Sequence, residues 1–236
     1  MTTKTTNKSK NVKNNVLLMI IIRLLFIIVF LSSILCLTAG TIRYTEAWIY
    51  ILVLFVPAFI IIIWFYIKDP DFIVGRILKR REKEKTHRSI QNFFSIPLMI
   101  GFLIPGFDIR YSWSDVPLYI VLVADLLVLL GYLIIVLSGK ENRHATAIIQ
   151  IEKDQKIIDT GPYRIVRHPM YTGGLLLMLF TPLALGSYWA MIPFFVCTIS
   201  ALVLRIVNEE KLLIANFPEY SDYCRKTKYR LIPFIW

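Results

Sequence analysis

Residues 161–174 read Gly-Pro-Tyr-Arg-Ile-Val-Arg-His-Pro-Met-Tyr-Thr-Gly-Gly, gathering cations, an imidazole and phenols just ahead of an apolar run over 173–207. That run carries Arg205 near its end and is followed by Glu209 and Glu210. Pro169 suits the first turn of a helix, where its missing N–H costs nothing. The free N–H groups and positive dipole end of such a helix attract a carboxylate or phosphate. Arg167 and His168, just before it, add charge-assisted hydrogen bonds. The plainer alternative is that Arg167 snorkels to lipid phosphate and His168 only caps the helix.

The two carboxylates cannot serve one small atom together. Consecutive helical residues point about 100° apart, so one faces the site and the other faces solvent or a basic partner. Arg205 lies four positions before Glu209 and shares its helix face. That spacing fits a ligand-binding cation and equally an ordinary helix-end ion pair. Tyr163, Tyr171, Tyr220 and Tyr223 each fit an interfacial aromatic belt. Together, their ring faces suit a cationic ligand such as a sulfonium or ammonium.

The elements that must position these groups are membrane helices. The chain is 56% hydrophobic with a mean hydropathy of +0.61, too apolar for a soluble domain of its length. A span needs about 20 apolar residues. Stretches 16–38, 47–67, 93–107 (short) and 117–137 approach or meet that length. The stretch 173–207 is too long for one span, reaching roughly 50 Å at about 1.5 Å per residue. It also contains Pro182 and Gly186, both helix breakers, which predicts a hairpin with a short first arm. The expected fold is therefore all-α and integral to the membrane: a multi-pass helical bundle of four spans plus a C-terminal helical hairpin, with a small cytoplasmic cap.

Charge sets the expected orientation. The net charge of +11 concentrates in Lys4, Lys8, Lys10 and Lys13 and in the 68–92 loop, while 38–46 and 108–116 hold only Arg43 and Arg110. By the positive-inside rule the N-terminus, the 68–92 loop, the 138–172 segment and the tail over 208–236 are cytoplasmic. That predicts an integral multi-pass protein of the endoplasmic reticulum in a eukaryote, or of the inner membrane in a prokaryote. The basic excess flanks spans, as orientation and anionic headgroups require, so no nucleic acid is expected as a partner. The basic start and the apolar run after it predict a retained anchor rather than a cleaved signal peptide.

Three regions follow. Residues 1–15 are Lys/Asn/Thr-rich and expected to be disordered. Residues 16–137 form the bundle, with the basic amphipathic loop at 68–92. Residues 138–236 hold the chemistry, including the membrane hairpin 173–207 and the tail. Within them, 146–151 and 156–159 are β-branched runs that predict a small hairpin or extended pair over the membrane surface. Arg23 and Asp125 lie inside spans at comparable depths from the cytoplasmic side, which predicts a pair across helices ahead of a substrate contact.

Other chemistries lack their residues. His87, His144 and His168 have no ligand spacing with Cys or acidic partners, so no metal is expected. Cys36, Cys197 and Cys224 are odd in number and scattered, which argues against a disulfide framework. No Gly-x-Gly-x-x-Gly loop, Walker sequence or Gly-x-Ser-x-Gly elbow is present. Any cofactor must sit between the bundle and the segments 138–172 and 208–236.

At these residues a resemblance enters. Gln150-Ile151-Glu152-Lys153 leads to Gly161-Pro162-Tyr163, then Arg167-His168-Pro169-Met170-Tyr171, then Arg205-x-x-x-Glu209-Glu210. Phe217-Pro218-x-Tyr220-x-x-Tyr223 and Arg230-Leu231-Ile232-Pro233 close the series. This order resembles the isoprenylcysteine carboxyl methyltransferase family, part of a wider group that includes phospholipid N-methyltransferases, over roughly residues 140–236. Residues 1–110 show no clear match.

The resemblance implies S-adenosyl-L-methionine as methyl donor in a cytoplasm-facing pocket. Gln150 and the stretch Gln155, Lys156, Ile157 and Ile158 would line the nucleoside. Tyr163, with Arg167, His168, Pro169, Met170 and Tyr171, would hold the methionine and ribose portions. Glu209 and Glu210 would complete the cofactor site, with Glu209 also catalytic, and Arg205 would engage the acceptor. The chain runs about two residues shorter near 155–158 than its eukaryotic relatives. The implied activity is carboxyl O-methylation of a C-terminal isoprenylcysteine, with membrane lipids and a prenylated acceptor as partners. N-methylation of an aminolipid, an NADPH-dependent sterol-type reductase and a non-catalytic scaffold are the competing readings.

Overall fold

A computed structural model describes residues 2–68, 99–142 and 157–236. Seven α-helices occur among them, with no strand: α1 (Thr2–Ala39), α2 (Thr45–Lys68), α3 (Leu103–Tyr111), α4 (Leu118–Glu141), α5 (Pro169–Ala184), α6 (Met191–Asn216) and α7 (Tyr220–Lys226). Four of them contain segments long and apolar enough to cross a bilayer: Asn14–Ala39, Thr45–Lys68, Leu118–Glu141 and Met191–Asn216. The chain is a multi-pass membrane protein.

The long apolar run doubles back as expected. Helix α5 ends where Gly186 adopts a left-handed φ of +72°, a conformation that costs glycine nothing. The N–H groups of Gly186 and Ser187 return to the carbonyls of Leu183 and Pro182 at 3.0 and 2.9 Å. Helix α6 then departs at Met191. Helix α5 has only 16 residues, about 24 Å at 1.5 Å per residue, so it falls short of the hydrocarbon thickness.

Two expectations need correction. Residues 2–15 are helical rather than disordered: α1 runs unbroken from Thr2 because no glycine or proline interrupts it before Gly40. Among the described residues, the 93–107 stretch holds no helix long enough to cross a bilayer. Its described part is dominated by α3, nine residues long, which rests on α1. Gly106 there approaches Thr38 so closely that a Cβ would lie 1.7 Å from its Oγ1. A segment carrying Pro105, Gly106 and the fully buried Asp108 packs as a short interfacial piece. Residues 93–98, most of the 68–92 loop and most of the 146–159 hairpin lie outside the described residues.

The core joins α1, α2, α4 and α5 through Leu35, Tyr50, Phe55, Val128, Leu177 and Ala184. Its phenols are satisfied: Tyr50 shares a 2.8 Å hydrogen bond with Thr181, and Tyr132 donates to the Leu54 carbonyl at 2.6 Å. Helices α4 and α5 cross at Gly131 and Gly173, where a Cβ on either would come within 2.7 Å of the other's carbonyl oxygen. At the end of the hairpin remote from Tyr171, the Asp108 carboxylate accepts from Ser114 N and Oγ at 2.6 and 2.8 Å and from Ser187 Oγ. This ties α3 to the hairpin turn.

The expected Arg23–Asp125 pair does not form. Arg23 is exposed on the outside of α1. Asp125 is 4% exposed inside the bundle, and neither of its carboxylate oxygens has a hydrogen-bond partner. Matching depth does not bring two side chains together when their helices turn them to different faces.

Candidate active site

The segment ahead of α5 is shaped before any reactive side chain appears. Gly161 takes a left-handed φ of +55°, and a Cβ there would meet Glu141 Cγ at 2.8 Å. Thr160 Oγ1 donates to Glu141 Oε2 at 2.9 Å, which ties this turn to the end of α4. A single 3-10 turn, Gly161–Arg164, follows with Pro162 in its first positions. His168 then stands at the helix boundary with a non-helical backbone, and Pro169 opens α5.

The tail clasps this segment from the other side. Arg167 N and His168 N donate to the carbonyls of Tyr229 and Arg230, each at 2.9 Å. Thr172 Oγ1 donates to the Leu231 carbonyl at 2.7 Å, and Tyr223 OH to the Tyr163 carbonyl at 2.7 Å. Burial pushes the Tyr220 and Tyr223 phenols well above the ordinary tyrosine range, so both stay neutral. Backbone groups that would be orphaned at the start of α5 are thus satisfied by residues about sixty positions away.

Two polar chains then meet at the junction of α5 and α6. In the first, Arg205 Nε donates to Tyr171 OH at 2.6 Å, and Tyr171 OH donates to Glu209 Oε2 at 2.6 Å. In the second, Arg230 Nε donates to Glu210 Oε2 at 2.7 Å, while His168 Nε2 lies 3.3 Å from Glu210 Oε1. Arg167 Nε forms an ion pair with that same oxygen at 3.2 Å. The His168 and Tyr171 rings stack at 5.6 Å with planes 18° apart, which joins the two chains. Their separate directions follow from the turn between consecutive helical residues.

Among the expected site residues, Arg167, His168, Tyr171, Arg205, Glu209 and Glu210 come together. Pro169 is buried at the helix start and Met170 is half-buried beside it. Tyr163 is buried beneath the tail, and Ile157 and Ile158 are half-buried just ahead of the turn. Gln150, Gln155 and Lys156 lie outside the described residues. His168 makes no side-chain cap to α5; its ring is turned to Glu210 instead.

Arg230 and Glu141 are site residues that sequence reasoning gave no role. Arg230 neutralises Glu210 from a distant tail, with no spacing to reveal it. Glu141 does leave a signal, since a carboxylate in the last turn of a helix opposes the dipole and invites a local partner.

The arrangement fits an amphoteric ligand. Glu210 is engaged on both oxygens by the chain's own cations, so it acts as a frame. Glu209 Oε1 takes no hydrogen bond from the described residues, which leaves it to a ligand's donor. The Tyr171 ring, stacked on His168, carries the Arg205 guanidinium 5.2 Å from its centroid, a cation–π contact. Among the described residues no cluster of His, Cys, Asp and Glu could hold a metal ion.

The sequence model of the phospholipid methyltransferase family matches residues 119–220. The cobalt-zinc-cadmium resistance protein CzcN of Cupriavidus metallidurans is 29% identical over 111 residues, 44% of this chain and 49% of that protein. Protein-S-isoprenylcysteine O-methyltransferase of Schizosaccharomyces pombe is 30% identical over 98 residues, 42% of this chain and 41% of that protein. The delta(14)-sterol reductase TM7SF2 of Mus musculus is 27% identical over 84 residues, 35% of this chain and 20% of that protein. The chain thus spans half or less of the length of these curated relatives. A solved structure of the eukaryotic intramembrane Ras methyltransferase, an isoprenylcysteine carboxyl methyltransferase, shares the fold. Its TM-score is 0.50 at 16% identity, over 92% of this chain and 86% of that one.

Proposed function

We propose, from the match of the phospholipid methyltransferase model to residues 119–220 and the likeness to an isoprenylcysteine O-methyltransferase, that this chain is a membrane methyltransferase of that superfamily using S-adenosyl-L-methionine. The acceptor is an amphipathic carboxylate, best matched by a C-terminal isoprenylcysteine. The observation that carries this reading is the chain from Arg205 through Tyr171 to Glu209, because it places a guanidinium and a carboxylate on opposite sides of one phenol.

S-adenosylmethionine supplies a methyl group on a sulfonium with a neutral thioether as leaving group, so the protein has mainly to align donor and acceptor and exclude water. Glu209 offers its remaining oxygen to the donor's ammonium, and the His168 and Tyr171 rings border the cationic centre. Arg205 orients the acceptor: the bond from its Nε to Tyr171 fixes the guanidinium plane, and a planar guanidinium suits a carboxylate. An acceptor carboxylate is ionised at neutral pH and needs no general base. That agrees with a site whose second carboxylate, Glu210, is engaged by Arg167, His168 and Arg230. The basic segments around the site support a cytoplasmic orientation, and an oily acceptor tail reaches the site sideways from lipid.

Two other readings have support. The matching family model is that of phospholipid methyltransferases, which favours an aminolipid acceptor with Glu209 as the proton acceptor. The sterol reductase match favours NADPH. Donor binding in detergent, followed by labelled-methyl transfer to a prenylcysteine analogue and to phosphatidylethanolamine, separates all three. Binding of NADPH without S-adenosylmethionine would overturn the methyltransferase reading.

A further inference from the structure

The tail ends in a feature that the methyl-transfer reading does not use. Phe234 and Ile235 are 87% and 77% exposed, two large apolar side chains side by side at the tip of a tight turn. Phe234 holds a left-handed φ of 66°, which a non-glycine residue keeps only when its surroundings impose it. The turn it makes returns Trp236 toward Arg230. The Trp236 backbone oxygen accepts from the N–H groups of Arg230, Leu231 and Ile232 at 2.8, 3.0 and 3.3 Å. The N–H groups of Ile235 and Trp236 both donate to the Ile232 carbonyl, at 3.2 and 3.1 Å. Pro233 has no N–H to satisfy.

We propose that this 230–236 turn is a membrane-inserting tip that seats the tail clasp in the boundary between lipid headgroups and acyl chains. Its depth is fixed by a hydrogen bond. The Leu231 carbonyl accepts from Thr172 Oγ1 at 2.7 Å, and Thr172 immediately precedes Gly173, where the apolar run of the hairpin begins. The base of the turn is therefore level with the start of the hairpin's apolar run.

Irregular backbone is tolerated at that depth when its polar groups are bonded within the protein, and the N–H groups of Arg230, Leu231, Ile232, Ile235 and Trp236 are bonded within this turn. Arg225, Lys226 and Lys228 stand exposed on the same tail, placed to meet anionic headgroups while the apolar pair enters beneath them. An aqueous loop of seven residues has no need of a self-bonded backbone or of a protruding Phe-Ile pair. The Arg230 side chain, its guanidinium 5.2 Å from the Trp236 ring centroid and bonded to Glu210, couples the tip to the frame of the site.

The test uses the full chain in nanodiscs of phosphatidylcholine and phosphatidylglycerol. A polarity-sensitive fluorophore is attached at Ile235→Cys, and for comparison at Ser221→Cys, after replacing Cys36, Cys197 and Cys224 by alanine. The label at 235 should emit to the blue of the label at 221. It should be quenched several-fold more by lipids carrying a nitroxide high on the acyl chain than by aqueous iodide. A water-like label at 235 overturns the proposal. So does a label shielded from both quenchers, which would mean that a second copy or another protein covers the tip. The unaltered chain gives an independent reading. Phosphatidylcholine with a diazirine near the glycerol should leave adducts on the peptide containing Phe234 and Ile235, and no adduct there is a refutation.

Discussion

Gly173→Ala and Gly174→Ala each add one methyl group at neighbouring positions near the start of α5, and the structure gives them opposite outcomes. A Cβ on Gly173 would lie 2.6 Å from the Gly131 carbonyl oxygen and 2.7 Å from Ile135 Cγ1, whereas a Cβ on Gly174 meets nothing within 4 Å. A relaxed contact between a carbon and a carbonyl oxygen needs about 3.3–3.6 Å, so Gly173→Ala must push α4 and α5 apart. Overpacking of this kind costs about 1–3 kcal/mol. Replacing a helical glycine by alanine returns about 1 kcal/mol at either position. That gain cancels between the two variants, which should therefore differ in stability by about 1–3 kcal/mol. The displacement also reaches the site, because Tyr171 lies two residues before Gly173 and its hydroxyl is held at 2.6 Å by both Arg205 and Glu209. Misplacement of aligned groups by about 1 Å can lower a rate about 100-fold. Thermal unfolding in nanodiscs and binding of S-adenosylmethionine report the two effects. Gly174→Ala should unfold at or above the temperature of the unaltered chain. Gly173→Ala should unfold several degrees lower and bind the donor more weakly. Equal unfolding temperatures refute the close crossing of α4 and α5; unchanged donor affinity in a destabilised Gly173→Ala refutes its coupling to the pocket.

Glu209→Gln should weaken donor binding by about 1.5–3 kcal/mol, the worth of a hydrogen bond to a charged group, as read by calorimetry; unchanged affinity removes Glu209 from the pocket. Arg205→Lys should lower turnover while sparing donor affinity, because an ammonium does not reproduce a planar fork, and normal turnover would refute an acceptor role. Glu210→Gln should destabilise the protein by about 3 kcal/mol, near the lower end for breaking a buried charge cluster, since Arg230 is one third exposed (34%). Thermal unfolding checks this, and a stability loss no larger than that of Glu209→Gln would contradict the framing role. Asp108→Ala should cost at least about 1.5–3 kcal/mol by the same measurement, with donor affinity unchanged below the unfolding transition. A loss of affinity there would mean that the remote end of the hairpin is not independent of the site.

Much of this architecture is legible in the residues, and the parts that are not share a cause. The hairpin is legible because an apolar run too long for one crossing holds Gly186, whose left-handed turn acts locally, although Pro182 is accommodated inside α5. The clustering of His168 with Glu209 and Glu210 then follows from the return of the chain to the same side. The described part of the 93–107 run shows the limit of apolarity as a guide, for the run counts as hydrophobic although a turn at Phe102 breaks it and the short helix that follows carries the buried Asp108. Arg23 and Asp125 illustrate a second limit: hydropathy gives depth along a helix but not the direction a side chain faces around it. The partners of Glu210 are the least legible, because Arg230 reaches it from a tail whose path is fixed by backbone bonds to Arg167 and His168.

The paired carboxylates carry the strongest argument that this geometry is built for a ligand. Consecutive residues on α6 have to diverge, and here the divergence separates two tasks. Glu210, 5% exposed, sits among Arg167, His168 and Arg230, so its charge is spent on joining α6, the start of α5 and the tail. Among the described residues Glu209 bonds to one phenol, Tyr171, and that phenol is itself bonded to Arg205. A purely structural junction would need only the first of these arrangements. The second holds a guanidinium and a carboxylate apart across a shared hydroxyl instead of letting residues four apart on one helix simply pair. Held apart, the guanidinium and the carboxylate face the site separately, an arrangement that suits the proposed transfer from a cationic donor to an anionic acceptor.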